Sequence, residues 1–170
     1  MSFKINKVKG FSSQIGHLVW QMNYIRETTL EAAKGLTVPE LDYLIHDDAN
    51  SIGALLLHMA AVEKGFQIEF FDGREPNEEE MAEWGDAYSL GEKGRQNIKG
   101  HSLGFYIDKL NEVRERTLSE LAKRDDEWLY EECVWDGHPS NQYFIWFHVL
   151  EDEINHRGQI RIIRNKILRR

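Results

Sequence analysis

The sequence predicts an all-α fold, a four-helix bundle with long connections. Four long segments place apolar residues at the three- to four-residue spacing of amphipathic helices, and no segment reads convincingly as part of a sheet. Glycine and proline, 13 and 3 of 170 residues, are too few for a fold built mainly of loops. Apolar residues make up 41% and charged residues 29%, as in an ordinary globular protein. We therefore expect residues 1–170 to form one domain.

The first two predicted helices cover about residues 11–34 and 51–71. Each has a largely apolar stripe at helical spacing. Ser51 has the side chain of an N-cap for the second helix, and the Asp72-Gly73 pair ends it. The stripes consist of Ile15, Leu18, Val19, Met22, Ile25 and Thr29, and of Ile52, Leu55, Met59, Val62, Phe66 and Phe70.

The third and fourth predicted helices cover about residues 102–123 and 140–168. Ser102 and Ser140 are placed to cap their N-termini, because a serine oxygen can accept a hydrogen bond from the free amides of the first turn. Four helices of this length, with no sheet beside them, favour a bundle.

Two connections between these helices have distinctive patterns. The connection 72–101 is unusually long, which indicates local structure or function, and we expect a short helix over 78–84. A connection of this length also allows the second and third helices to run parallel. The segment 129–135 alternates between apolar and polar residues, but Asp136-Gly137-His138-Pro139 follows at once, so we interpret it as an ordered loop.

Charge and cysteine content exclude several classes of protein. Lysine and arginine number 21 against 29 aspartate and glutamate, a net charge of −8. Phosphate backbones repel so acidic a chain on average, so we expect no nucleic-acid partner. We find neither a bilayer-spanning apolar run nor a secretory signal, and we expect a cytoplasmic protein without a membrane partner. Cys133 is the one cysteine, which excludes an intrachain disulfide.

Polar residues interrupt the apolar stripes of the second and fourth helices. His58 has apolar residues at all four positions three and four residues away, so its imidazole points toward the bundle interior. His148, Asp152 and His156 continue the stripe of the fourth helix at a spacing of four. Asp152 and His156 can share one ion, whereas a rise of about 12 Å separates His148 from His156.

A buried carboxylate beside imidazoles is costly unless the groups pair or bind a metal. The pattern therefore predicts a divalent-metal site formed by His58, Asp152 and His156, with open coordination positions. Nitrogen and carboxylate ligands suit Zn, Ni or Fe(II). Two alternatives stay open. One is a polar seam without metal, and the other is a carboxylate-bridged di-iron site built on Glu153 and His156, for which the sequence offers no second Glu-x-x-His.

The segments that carry these residues resemble the DinB/YfiT-like superfamily. Ile52 to Ala60 with Glu63 is similar to its second-helix signature, and His148 to Ile160 to its fourth-helix signature, where His-x-x-x-His leads into His-Arg-Gly-Gln. The resemblance covers nearly the whole chain. It implies a four-helix bundle, usually dimeric, with a metal held by three histidines. Characterised relatives include transferases that use low-molecular-weight thiols such as bacillithiol or mycothiol.

The family's metal ligands correspond here to His58, Asp152 and His156. Asp152 stands where the family usually has histidine, and a carboxylate ligand should make the metal a weaker Lewis acid. His148 then becomes a catalytic candidate that shuttles a proton. The resemblance implies a homodimer that acts on a small-molecule substrate, as a metal-dependent thiol S-transferase or hydrolase. The alternatives are a non-catalytic metal-binding or stress-related bundle with a degenerate site, and a plain helical interaction module.

Overall fold

The computed structural model describes residues 4–169, and it is a helical bundle with one small hairpin. The four long helices are α1 (Ser13–Ala33), α3 (Ile52–Phe66), α6 (Leu103–Leu121) and α7 (Gln142–Ile167), and the connections contain α2 (Val38–Leu41), α4 (Glu78–Ser89) and α5 (Gly91–Asn97). The predicted all-α four-helix bundle is confirmed. None of the helices within residues 4–169 is both long and apolar enough to cross a membrane.

The long connection between α3 and α6 lets these two helices run parallel, as its length allowed. Tyr106, near the start of α6, packs so closely on Gly53, near the start of α3, that an added Cβ would lie 2.5 Å from its hydroxyl. Further along both helices, the Gln67 side-chain amide donates to the Thr117 hydroxyl at 2.8 Å. Gln67 belongs to the π-helical turn Gln67–Phe71, which extends α3 and accounts for the predicted helix over 51–71.

A layer of four charged side chains divides the apolar core into two parts. Each long helix supplies one: Arg26, Glu63, Arg114 and Glu153, with at most 8% of any side chain exposed. Arg114 Nε donates to Glu63 Oε1 at 2.7 Å, and Arg26 Nε donates to Glu153 Oε1 at 2.9 Å. Each arginine also pairs with the other glutamate. Two positive and two negative charges therefore cancel inside the bundle.

The connection between α3 and α6 contains more helix than predicted. The short helix expected over 78–84 is confirmed, and it continues to Ser89 as α4. Asn77 caps it, since Asn77 Oδ1 accepts from the Glu80 amide at 2.9 Å and the Glu80 carboxylate accepts from the Asn77 amide at 3.0 Å. Leu90, with a φ of 53°, then turns the chain into α5.

The segment 129–135, interpreted as a loop, includes a strand instead. β1 (Glu132–Trp135) pairs antiparallel with β2 (His138–Asn141). Asp136 and Gly137 join the strands with φ of 49° and 74°. Two consecutive residues with positive φ make the type I′ turn that suits the twist of a hairpin. The Asp-Gly pair therefore reverses the chain rather than ending regular structure.

The N-cap predicted at Ser140 is wrong by one residue. Ser140 lies opposite Cys133 in the hairpin. α7 begins at Gln142, and Asn141 Oδ1 accepts from the Phe144 amide at 2.9 Å. The hairpin therefore leads directly into the helix that carries most of the candidate site.

Candidate metal centre

The antiparallel packing of α3 and α7 brings the three predicted ligands together. Phe66, at the C-terminal end of α3, contacts His148 in the N-terminal part of α7. His58, nearer the start of α3, faces Asp152 and His156, which lie further along α7. Asp152 Oδ1 is 3.2 Å from His156 Nε2 and 3.9 Å from His58 Nε2. One ligand atom from each of the three residues lies within 4.8 Å of the other two. Both histidine side chains are 13% exposed and the aspartate 19%, so the cluster is still in contact with solvent.

Hydrogen bonds at the other ring nitrogens orient both imidazoles. His58 Nδ1 donates to the Ala87 carbonyl in the last turn of α4 at 2.9 Å. His156 Nδ1 donates to Gln159 Oε1 at 2.9 Å. The two rings meet edge to face, with centroids 4.7 Å apart. A neutral ring with its proton on Nδ1 leaves Nε2 free to ligate a metal, whereas a protonated His156 also donates from Nε2 to Asp152.

The Asp152 carboxylate acts differently on the two histidines. Burial lowers the pKa of His58, and the Ala87 carbonyl and Asp152 offset this only in part. Burial also opposes the charged form of His156, but its hydrogen bond and charge interaction with Asp152 outweigh burial and raise the pKa. His58 is therefore the ring that stays neutral more readily, and neutral imidazole is the form that binds a metal.

The donor atoms fit a divalent metal. Donors at about 2.0–2.2 Å from one ion would lie about 3.0–3.5 Å from one another. The 3.2 Å separation of Asp152 from His156 is in that range. The 3.9 Å separation from His58 would have to shorten when the metal binds, and the two histidine donors lie within 4.8 Å of each other. Two imidazoles and one carboxylate are a ligand set used for Zn and Fe(II). That these residues ligate a metal stays a prediction.

His148 does not join this cluster. Its ring lies 4.6 Å from Trp135 of the hairpin and stacks at 6.0 Å on Phe144. Its Nδ1 is 3.0 Å from Glu151 Oε2. With 27% of its side chain exposed, His148 lies in an aromatic wall one helical turn before Asp152. Its catalytic role stays a prediction.

The carboxylates of Glu63 and Glu153 face away from the candidate site. Both oxygens of each accept hydrogen bonds from Arg26 and Arg114 in the charged layer. Glu153 is therefore engaged elsewhere, and the arrangement gives no support to a di-iron site built on Glu153 and His156.

Sequence patterns did not reveal the partners of the two rings. Ala87 contributes its backbone carbonyl, and every residue type has one, so the sequence gives no signal for this contact. Gln159 lies three residues after His156, a spacing that places two side chains on one helical face and offers a usable signal. The contribution of α4 depends on where the long connection folds back, which periodicity does not show.

Comparison with known proteins assigns the chain to a family. The model of the mycothiol-S-transferase family matches residues 17–168, a range that contains the three clustered residues. The chain belongs to the mycothiol-S-transferase family. A search of curated proteins gave no match for this family member.

Solved structures show that this mycothiol-S-transferase family member has the DinB-like fold, as the resemblance implied. A DinB-like protein from Bacillus cereus superposes with a TM-score of 0.64 at 15% identity, covering 89% of this chain and 91% of the other. A conserved protein from Enterococcus faecalis has a TM-score of 0.70 at 16% identity, covering 90% and 96%. An uncharacterized protein from Clostridium difficile has a TM-score of 0.70 at 14% identity, covering 89% and 95%. At such low identity the likeness concerns the fold alone.

Proposed function

We propose that this protein binds one divalent metal ion through His58, Asp152 and His156 and transfers a low-molecular-weight thiol to a small electrophilic substrate. The observation that carries the proposal is the convergence of three donor atoms within 4.8 Å, with both Nδ1 atoms hydrogen-bonded elsewhere. Membership of the mycothiol-S-transferase family supports a thiol of the mycothiol or bacillithiol type. Zn, Ni and Fe(II) all suit the donor set.

A divalent metal at such a site supplies one chemical function, since it lowers the pKa of a coordinated thiol and keeps it deprotonated. The protein's own groups do the rest. The Ala87 carbonyl and Gln159 hold the two rings in place, and Asp152 offsets one positive charge of the site. The negative charge of Asp152 distinguishes this set from three neutral histidines and lowers the Lewis acidity available to the thiol.

His148 is assigned the role of proton acceptor. The cosubstrate sulfur forms a bond to the electrophilic carbon, the leaving group departs with the bonding electron pair, and the thiol proton passes to His148. A rise of about 6 Å separates its helical position from Asp152. Trp135, Phe144 and Phe66 contact the imidazole, and 27% of the His148 side chain stays accessible to solvent. If water replaces the thiol at the same site, the reaction is a hydrolysis.

Metal content tests the first half of the proposal. Untagged wild-type protein should contain close to one metal ion per chain by inductively coupled plasma mass spectrometry, and Asp152→Ala and His156→Ala should lose it. His138→Ala is the matched control, because it removes an exposed histidine of the hairpin outside the cluster. Metal retained in both cluster variants, or no metal in wild type after reconstitution, would contradict the proposed site.

Turnover tests the second half. Metal-loaded wild type should conjugate at least one thiol from a panel that includes mycothiol and bacillithiol to a model electrophile, and His58→Ala should abolish this conjugation.

A specific observation favours a second candidate function: Asp152 replaces the family's usual histidine. If the protein binds metal stoichiometrically, loses melting temperature on metal removal and transfers no thiol, it is a non-catalytic metal-binding bundle.

We also propose where the protein acts and with which partners. We assign the protein to the cytoplasm, as a homodimer without nucleic-acid or membrane partners. The net charge of −8 supports the absence of a nucleic-acid partner.

A further inference from the structure

A cavity of about 380 Å³ lies between α3 and α4. Its volume falls within the range of about 300–1,000 Å³ typical of small-molecule sites, which are mostly apolar with a few polar groups. The apolar part of its lining comes from both helices and from the π-helical turn that follows α3. These residues are Ala61, Gly65, Ile68, Met81, Trp84 and Tyr88.

Two residues that line the cavity are close in sequence to residues of the candidate metal centre. Ala61 follows His58 by three residues on α3, and Ala87, whose carbonyl holds the His58 ring, immediately precedes Tyr88. The Tyr88 ring lies against the backbone of Gly65, where an added Cβ would be 3.1 Å from its Cε2 atom. Burial raises the pKa of the Tyr88 phenol, and the negative charges of Glu69 and Asp152 raise it further. Tyr88 therefore lines the cavity and directly follows the residue whose carbonyl orients His58.

Charged groups around the cavity leave a small excess of negative charge. Glu69, Glu75 and Glu80 line the cavity with Lys64, and Arg74 pairs with both oxygens of Glu80 at 2.7 and 2.8 Å. Burial raises the pKa of the Glu69 carboxyl, and the charge of Glu75 raises it further. The remaining negative charge disfavours an anionic ligand, and the apolar interior disfavours burial of an unpaired ion of either sign, so a neutral apolar group fits best.

We propose that this α3–α4 cavity binds the neutral apolar group of the electrophilic substrate and presents the electrophile to the thiol across Tyr88. The identity of the ligand as the electrophilic substrate rests on the proposed thiol transfer. The binding of a neutral apolar group in the cavity does not depend on that proposal. It names a substrate class: small electrophiles whose body is uncharged and largely apolar.

Glycine substitution can fill the cavity without touching the metal centre. A Cβ at Gly85 of α4 would meet only Met81 Cε at 3.5 Å, an ordinary contact, so Gly85→Leu extends a side chain into the cavity. The change also removes a glycine from a helix interior and should preserve or raise the melting temperature. Gly104→Leu on α6 is the matched control, because a Cβ there would meet Ser102 Oγ at 3.6 Å, away from the cavity.

Two dyes that differ by one sulfonate provide the test. N-phenyl-1-naphthylamine is neutral and fluoresces in apolar pockets, and 8-anilino-1-naphthalenesulfonate is its anionic counterpart. In metal-free protein, the neutral dye should bind saturably and at least tenfold more tightly than the sulfonate. Gly85→Leu should weaken the neutral dye at least tenfold, and Gly104→Leu should leave it unchanged. In addition, Trp84→Phe should reduce the tryptophan-sensitised emission of the bound dye, which tests its location without relying on the leucine variant.

The outcomes separate this inference from the proposed function. Equal effects of the two leucine variants, tighter binding of the sulfonate, or sensitised emission unchanged in Trp84→Phe would overturn the cavity assignment even if metal and thiol transfer are established. Specific binding of the neutral dye in a protein that transfers no thiol would uphold the cavity and leave the transferase proposal refuted.

Discussion

Arg26, Glu63, Arg114 and Glu153 place two positive and two negative charges in the centre of the bundle with almost no exposure to solvent. Removing such charges from water costs free energy, and close pairing recovers it only while every member is present. Burial alone would raise the pKa of Glu63, but Arg114 and Arg26 outweigh it and hold that pKa below its ordinary value. Each member of the layer therefore depends on its partners.

We predict that Glu63→Gln lowers the free energy of unfolding by about 3–5 kcal/mol, because it leaves buried guanidinium groups without full compensation. Since the folded-state pKa of Glu63 is depressed, its contribution is present above an unfolded-state pKa of about 4.3 and is lost as pH falls further. The difference between variant and wild type in urea unfolding should therefore shrink below about pH 4.

The control for Glu63→Gln is Glu112→Gln, which removes a carboxylate with 66% of its side chain exposed in a surface pair with Lys109. This control should change stability by less than about 1 kcal/mol. Equal losses in the two variants would contradict the role given to the layer. Glu63→Gln should also keep its metal, because Glu63 faces the arginines rather than the metal centre.

Single residues differ in how far their position could be predicted. His58, Asp152 and His156 follow from spacing, because each interrupts an apolar stripe and the stripes of a bundle face one another. The charged layer could not be predicted from spacing. Its members lie on four different helices, and they meet only because of how far each helix is shifted along the bundle axis relative to the others. The residues around His148 depend likewise on a hairpin that spacing alone did not reveal.

At the scale of elements, the start of α7 determines where the candidate site lies along the bundle. Asn141 Oδ1 accepts from the Phe144 amide at 2.9 Å and satisfies one of the free donors of the first turn. We predict that Asn141→Ala lowers the free energy of unfolding by about 1 kcal/mol. In a chain of this size the melting temperature should fall by about 2–4 °C, as measured by circular dichroism.

Ser140→Ala is the matched control for Asn141→Ala, since the neighbouring side chain belongs to β2 and not to the cap. It should lower the melting temperature less. A larger effect of Ser140→Ala would indicate that Ser140 is the N-cap, as predicted from the sequence, and that the helix begins one residue earlier.

The elements themselves were predictable to different degrees. Long amphipathic segments predicted all four bundle helices, because burial of one face dictates their periodicity. β1 and β2 have four residues each, too short for a pattern to establish, and the informative signal was the Asp136-Gly137 turn. The extent of α4 was underestimated at its C-terminal end, because Ala87 is the one buried residue of α4 after Trp84 and gives no periodic apolar pattern.

At the scale of the whole molecule, α7 presents a stripe of large apolar side chains to solvent, with the exposed Glu151 between the first two. Phe147, Ile154 and Ile162 are 46%, 42% and 59% exposed, and their spacing of seven and eight residues aligns them along one face of the helix. Gly158 lies between Ile154 and Ile162, and a Cβ there would meet nothing within 4 Å, so another helix could approach closely. This face is the best candidate for the predicted homodimer.

We predict that multi-angle light scattering gives wild type a mass close to twice the 20.0 kDa of one chain, and that Ile154→Glu reduces it to one chain. A carboxylate buried in the centre of an apolar interface is desolvated without a partner. It should therefore weaken the free energy of association several times more than a substitution at an exposed position. Ile5→Glu is the control, because Ile5 is 55% exposed but precedes α1 and lies outside the stripe. A monomeric wild type at all concentrations, or dissociation in Ile5→Glu but not in Ile154→Glu, would contradict an α7 interface. Because a dimer that forms through this face couples association to folding, its melting temperature should also rise with protein concentration in wild type and not in Ile154→Glu.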